Sequence, residues 1–282
     1  MEEKTKEQRH EEYLRKIPEF TLMDDTFMNA CFNEQKELVQ KILRIIMNKP
    51  ELIVTNSQIQ KVYKNLHGRS VTLDIDAVDA DETQMDVEIQ QDNRGAKPER
   101  ARYHSALIDC SELKEGQSFD DLPETYIIFI TESDIFKMSL PVYKIGRYIE
   151  GKNGEKIPFN DRAHIIYLNS EIQDETALGR LMHDFFCKNA DDMYYNELAE
   201  RMKFLKEDER GNAIMSSSIE DLINEGIEKG MAKGMAKGVA KGEHNNAIKV
   251  ALEMLKDNFS VEKIAKYSNL PIDEIEGLRK NL

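Results

Sequence analysis

Between Val71 and Gln91 apolar residues fall at every second position, and this period limits the folds open to the chain more than any other feature. In Val71-Thr72-Leu73-Asp74-Ile75-Asp76-Ala77 one face is apolar and the other carries Thr72, Asp74 and Asp76. Successive side chains point to opposite sides only in an extended chain, so the run predicts a half-buried strand. Met85-Asp86-Val87-Glu88-Ile89-Gln90 repeats the pattern after the turn-rich Asp79-Ala80-Asp81-Glu82-Thr83. The pair reads as an antiparallel hairpin.

Helices and further strands surround it. Phe27, Cys31, Leu38, Val39, Ile42, Leu43, Ile45 and Ile46 recur at three- and four-residue steps, predicting an amphipathic helix or helix pair that ends before Pro50. Asp24 and Asp25 stand at its start, where acids suit the positive end of a helix dipole. Pro98 opens another helix through Arg100, Arg102, Tyr103 and Ile108. The nearly continuous apolar runs Thr125 to Ile130 and Ala163 to Leu168 predict strands buried on both faces. Ala177 to Lys188 and Tyr194 to Leu205 read as helices capping the sheet. The order predicts an α/β domain, a mixed sheet flanked by helices and ending near Asn169, followed by an α-helical C-terminal extension. Residues 1–20, almost all charged or polar, predict a frayed or weakly helical leader.

The extension holds a strict repeat: Gly226-Ile-Glu-Lys, Gly230-Met-Ala-Lys, Gly234-Met-Ala-Lys, Gly238-Val-Ala-Lys, Gly242. Each four-residue step drifts ~40° on a helix, so the glycines and the Ile227, Met231, Met235, Val239 stripe wind slowly round it. Each interior glycine costs ~1 kcal/mol against alanine. The segment therefore reads as a flexible linker or as an oligomerisation helix that needs a partner, with Lys229, Lys233, Lys237 and Lys241 as a third, phosphate-binding reading. Ser260 to Arg279 has the rhythm of a helix-turn-helix, but Asp273, Glu274 and Glu276 on its second helix suit protein packing at least as well as a DNA groove.

With 53 acidic against 39 basic residues, the net charge is −14, which disfavours broad contact with nucleic-acid phosphates. Any such partner must be met by local basic patches or a bound cation. Cys31, Cys110 and Cys187, odd in number and without Cys-x-x-Cys pairing, read as buried small hydrophobes in a reducing compartment. The apolar runs fall short of the ~20 residues that span a bilayer, and Met1-Glu2-Glu3-Lys4 begins no signal peptide, so a cytoplasmic protein without membrane contact is expected. His183 and Cys187 have metal-ligand spacing, but two ligands make no site. His104 and His164 are expected to pack or cap. No phosphate-cradling glycine loop or Ser-His-Asp set is present.

The hairpin carries the strongest chemistry. Asp74 on one strand and Glu88 on the next can grip one hard cation, with the Ile89 backbone carbonyl as a third oxygen and Gln90 beside them. Mg²⁺ suits such a set, with Mn²⁺ and Ca²⁺ as alternatives. Acids on the open face of a hairpin are also commonly just solvated, and spacing alone does not choose.

Asp74, then Glu88-Ile89-Gln90, followed by Lys97-Pro98-Glu99-Arg100-Ala101-Arg102-Tyr103-His104 and Asp109, resembles the PD-(D/E)XK nuclease superfamily, in the branch of transposase-like or recombination-promoting nucleases. Asp24 to Met28, Leu113-Lys114-Glu115-Gly116 and the Tyr126 to Ile130 strand agree with it. The resemblance covers about residues 20 to 205. It implies a restriction-endonuclease-like core at 21–205 with a helical cap, after the leader at 1–20, then the repeat segment at 206–256 and the small tail at 257–282. It implies a metal-dependent DNA endonuclease of low sequence specificity, linked to recombination, mobile elements or phage defence. By it Asp74 and Glu88 are catalytic metal ligands, and Gln90 stands where the superfamily has lysine, able to position but not to supply charge. Asp25 or Asp24 either completes the metal shell or caps the helix. One of Arg100 and Arg102 reaches a phosphate while the other forms a surface ion pair, since residues two apart on a helix face different ways. Tyr103 shares the Arg100 face or packs in the core, and Lys61, Lys64, Arg69 and Lys97 complete a basic rim. No second acidic triad of transposase spacing is present, so recombination would follow indirectly from strand breaks. The competing expectation is a non-catalytic scaffold that binds nucleic acid or protein and forms a homo-oligomer through the repeat helix.

Overall fold

The computed structural model describes residues 5–65, 68–92 and 95–280; Met1 to Lys4, where a signal peptide was sought, lie outside them. The chain divides into two compact units, Met1–Glu220 and Asp221–Leu282.

The first unit begins with α1 (Lys6–Lys16). Thr5 Oγ1 accepts from Gln8 N (3.2 Å) while Thr5 N donates to Gln8 Oε1 (2.9 Å). This capping box satisfies two of the free N-terminal donors, and so a helix forms where polar composition predicts fraying. The periodic stretch that follows is a helix pair, α2 (Asp25–Phe32) and α3 (Lys36–Met47). Asn48 ends α3 in the left-handed region (φ 52°), a conformation that asparagine tolerates better than most residues.

The sheet holds β1 (Val54–Tyr63), β2 (Val71–Asp79), β3 (Gln84–Gln90), β4 (Thr125–Thr131), β5 (Val142–Ile145) and β8 (Ala163–Asn169), in the order β1-β2-β3-β4-β8-β5. A separate small hairpin pairs β6 (Tyr148–Glu150) with β7 (Lys156–Pro158). The first three strands run antiparallel, β3, β4 and β8 are parallel, and β5 returns antiparallel to β8. Parallel neighbours need a crossover, and α4 (Pro98–Glu112) provides it between β3 and β4. The expected hairpin, central strands and mixed sheet are all present. β1 escapes the sequence reading because it is an edge strand whose polar residues alternate over a largely exposed surface.

Ile127, Ile128, Phe129 and Ile130 are fully buried, so both faces of β4 are covered. Leu73, Ala101, Leu107, Ile108, Ile127, Phe129 and Tyr167 form one core cluster, tying α4 to the sheet. Phe129 and Tyr167 stack at 5.1 Å within it. The remaining helices, α5 (Ala177–Phe186) and α6 (Asn196–Glu207), bury Leu181, Met182, Phe185, Leu198, Met202 and Leu205. Arg201 fastens α6 to α2 by donating to the carbonyls of Ala30 (2.7 Å) and Cys31 (3.1 Å). Cys31 and Cys187 are buried as expected, whereas Cys110 is exposed, on the solvent side of α4.

The repeat is helical throughout: α7 runs from Glu209 to Lys256, beginning in the first unit and continuing into the second. A Cβ added at Gly226, Gly230, Gly234, Gly238 or Gly242 would meet nothing within 4 Å. Met231, Met235 and Val239 are 71%, 73% and 52% exposed. The side chain of Lys229, part of the expected basic stripe, lies outside the described residues. In the second unit α8 (Val261–Ser268) and α9 (Ile272–Lys280) meet at Asn269 (φ 56°). Ile264, Leu270 and Ile275 pack with Ala251 of α7 into a small core. No helix among the described residues is long and apolar enough to cross a membrane.

Candidate metal and phosphate site

The β2–β3 ladder ends at Ile75 opposite Val87, although β2 extends back to Val71 and β3 on to Gln90. Beyond that point carboxylates take the place of backbone acceptors. Asp74 N donates to Glu88 Oε1 (3.2 Å), and Ile89 N donates to Asp74 Oδ2 (2.9 Å). The exchange fixes one acid from each strand against the other strand's backbone. Asp74 Oδ1 accepts from Gln60 Nε2 (3.3 Å), whose amide also reaches Asn29 Oδ1 (3.2 Å) of α2. Gln60 holds φ 55° inside β1, a left-handed conformation that costs on the order of 1–3 kcal/mol and recurs at functional sites.

Asp86, Glu88 and Gln90 alternate along β3, and α4 brings Arg100 and His104, one turn apart, against them. Arg100 donates to Glu88 Oε2, to Gln90 Oε1 (3.1 Å), to the Gly95 carbonyl (3.0 Å) and, through Nε, to His104 Nε2 (3.2 Å). Because Nε2 accepts, a neutral His104 carries its proton on Nδ1 and donates it to Asp86 Oδ2 at 2.8 Å. The other Asp86 oxygen, Oδ1, is buried with no partner. Asp76, next on β2, is held by Lys61 Nζ (2.7 Å) and Tyr63 OH (2.8 Å).

These acids are shielded from water and crowd one another, with Arg100 and Lys61 as the cations beside them. Burial pushes the Asp74 carboxyl up to about 6, against the opposing Ile89 N–H. Burial, and then the charges of its neighbours Asp74 and Asp76, raises Asp86 well above the usual carboxylate range. Glu88 is raised likewise by burial, Asp86 and Asp74, with Arg100 pulling the other way. Burial lowers His104, which favours its neutral form. Donor atoms of Asp86, Glu88 and His104 lie within 4.8 Å of one another, a grouping that could hold a metal ion. Crowded hard oxygens with an orphaned carboxylate atom fit a divalent cation, which would relieve their repulsion.

Asp74, Glu88 and Gln90 therefore come together. Ile89 joins them through its N–H, which is committed to Asp74. Asp25 starts α2 with its carboxyl raised by burial and then by Asp24, and its charge acts on Asp74 in turn. Of the two arginines, Arg100 turns inward; Arg102 is exposed and forms no ion pair among the described residues. Tyr103 packs against the core cluster, as one of its two readings has it, and its hydroxyl donates to the Arg69 carbonyl (2.5 Å). A groove of ≈ 830 Å³ passes Arg69, Lys97, Arg100, Arg102, Tyr103 and His104. Lys61, expected on the basic rim, is instead drawn to Asp76.

His104 packs, buried beside Phe129, and it also links Asp86 to Arg100. His164 packs, stacking on Tyr126, and its ring bonds the Glu124 carboxylate (2.8 Å). Asp86 and His104 were missed as site residues, though the signal was present, since Asp86 lies two before Glu88 on a period-two strand and His104 four after Arg100 on a helix. The judgement on His183 and Cys187 also changes, because Asp184 joins them.

A mixed sheet flanked by helices, with two acids facing each other where its strand pair separates, defines a restriction-endonuclease-like α/β protein. The family model for the PD-(D/E)XK nuclease family transposase matches residues 26–235, and the chain belongs to that family. No curated protein and no solved structure matches it.

Proposed function

We propose that this protein is a Mg²⁺-dependent deoxyribonuclease that cuts phosphodiester bonds with little sequence preference, acting in the cytoplasm and promoting recombination through the breaks it makes. The observation that carries the reading is the reciprocal bonding of Asp74 and Glu88 across the open end of the β2–β3 pair. Asp74, Glu88 and the Ile89 carbonyl would hold Mg²⁺, which when bound would supply an activated water and charge stabilisation at the phosphate. Asp74 and Glu88 are pre-positioned for it by the N–H groups they already hold. Gln90 has its carbonyl oxygen taken by Arg100, so its NH₂ is left to orient a phosphate oxygen or the attacking water. Arg100 supplies the positive charge that a glutamine lacks, at the place where charge develops in the transition state. Lys97, Arg102 and Arg69 follow the backbone along the groove, contacts that position DNA without reading bases. The net charge of −14 makes binding weak and salt-sensitive.

The protein also forms a homo-oligomer through α7 in this reading. Its exposed Met231, Met235 and Val239, flanked by bare glycines, suit close approach of a second copy of the same helix. Deleting Gly226 to Gly242 should lower the mass seen by light scattering. For the enzyme itself, Asp74→Ala and Glu88→Ala should abolish cleavage of supercoiled plasmid in Mg²⁺; undiminished cutting by the variants would remove these acids from the reaction, and a parent that does not cut would leave the chain as a non-catalytic scaffold.

A further inference from the structure

The sheet site leaves unused a second group of donors, at the C-terminal end of α5. His183 Nδ1 lies 3.3 Å from Asp184 Oδ1 and 3.5 Å from Cys187 Sγ. All three donor atoms fall within 4.8 Å of one another. A ring nitrogen has one proton or one lone pair, so Nδ1 cannot bond both partners well, and 3.3 Å exceeds the usual range of about 2.7–3.2 Å for N–H···O. The spacing does fit a shared ion. With metal–nitrogen and metal–oxygen bonds near 2.1 Å and a metal–sulfur bond near 2.3 Å, the edges of a tetrahedron are about 3.4 Å for N to O and about 3.6 Å for N to S.

We propose that His183, Asp184 and Cys187 form a binding site for a zinc-like divalent ion, distinct from the acidic site on the sheet. The surroundings match what orients metal ligands. The Asp184 carboxylate is fully buried and accepts from the N–H groups of Tyr194 (2.8 Å) and Tyr195 (2.9 Å), which leaves further lone pairs for an ion. The His183 ring is set edge-on against Tyr194, centroids 4.9 Å apart. A groove of ≈ 750 Å³ opens on His183, Cys187, Asp192 and Tyr194, giving the ion an entry path and a fourth position for water or the Asp192 carboxylate. Sulfur and imidazole select zinc over magnesium, whereas the oxygen-rich sheet site selects the reverse. Binding would expel the thiol proton to solvent and pin the end of α5 to the segment that leads into α6.

Cobalt(II) titration of the purified full-length chain, followed by absorption spectroscopy, tests this without reference to cleavage. The expected result is a thiolate-to-cobalt charge-transfer band that saturates at one ion per chain and is displaced by zinc. It should persist in Glu88→Gln and Cys110→Ser and vanish in Cys187→Ser. Absence of the band from the unmutated chain at saturating cobalt would overturn the proposal, whatever the variants do, as would its survival in Cys187→Ser.

Discussion

Arg100 and Glu88 form an ion pair in which the carboxylate is wholly buried while the arginine side chain keeps 34% of its surface exposed. One end of the guanidinium system is thus anchored on β3, and the other borders the groove. Arg100→Ala should lower kcat/KM for plasmid cleavage by about 10²–10³-fold, the usual loss when one transition-state donor is removed. It should also cost about 3 kcal/mol in urea unfolding at pH 8, because Glu88 stays buried without its partner. The stability loss should shrink as pH falls, because burial makes the Glu88 carboxyl take up a proton more readily than an ordinary carboxylate.

The pH dependence of the metal-free protein follows from the raised carboxyls. Asp74 titrates at about 6 when folded and near 3.9 when unfolded, so across that window the folded state binds more protons. Stability from this group therefore falls as pH rises through it. Asp86 and Glu88 act in the same direction. Mg²⁺ should raise Tm more at pH 8, where Asp74 is charged, than at pH 5. Calorimetry showing equal shifts at both pH values would refute the link between these acids and the ion.

Gly95 gives a test that leaves every proposed ligand in place. A Cβ there would lie 1.8 Å from Gln90 Oε1, so Gly95→Ala must push the amide away from Arg100. Displacements of about 1 Å can cost 10²-fold in rate. Cleavage by this variant should fall about that far while its thermal midpoint stays near that of the parent.

The repeat helix separates intrinsic propensity from assembly. Gly230→Ala with Gly234→Ala should add about 1 kcal/mol of helix stability at each position, since nothing within the chain opposes the new methyls. If two copies meet through these glycines, the same change should lower the mass seen by light scattering while helicity rises. Unchanged mass would place the contact elsewhere.

How far the fold and site could be read from sequence depended on whether a residue's partners were local. Alternation in β2 and β3 put Asp74 and Glu88 on adjacent strands, where the fold has them, because strand geometry is set by neighbours two apart. For α1 the polar composition left frayed and weakly helical open, and the capping box of Thr5 with Gln8 accompanies the helix that is found. β1 carries few apolar residues, and its pairing with β2 is a long-range event that no local pattern announces. His104 was read as a packing residue because its partners, Asp86 and Arg100, meet only when α4 folds back over β3. Asp184 shows the same limit: its neighbour in sequence, His183, becomes a neighbour in chemistry only once the chain turns at Cys187.

The central claim is that Asp74 and Glu88 hold the ion that cuts DNA, and the most direct measurement is the cleavage rate of supercoiled plasmid in Mg²⁺ for the parent, Asp74→Asn and Glu88→Gln, each verified as folded by circular dichroism. The proposed function predicts that the parent nicks the plasmid and that both variants lose at least about 10²-fold in rate. Folded variants that cut as fast as the parent would contradict it.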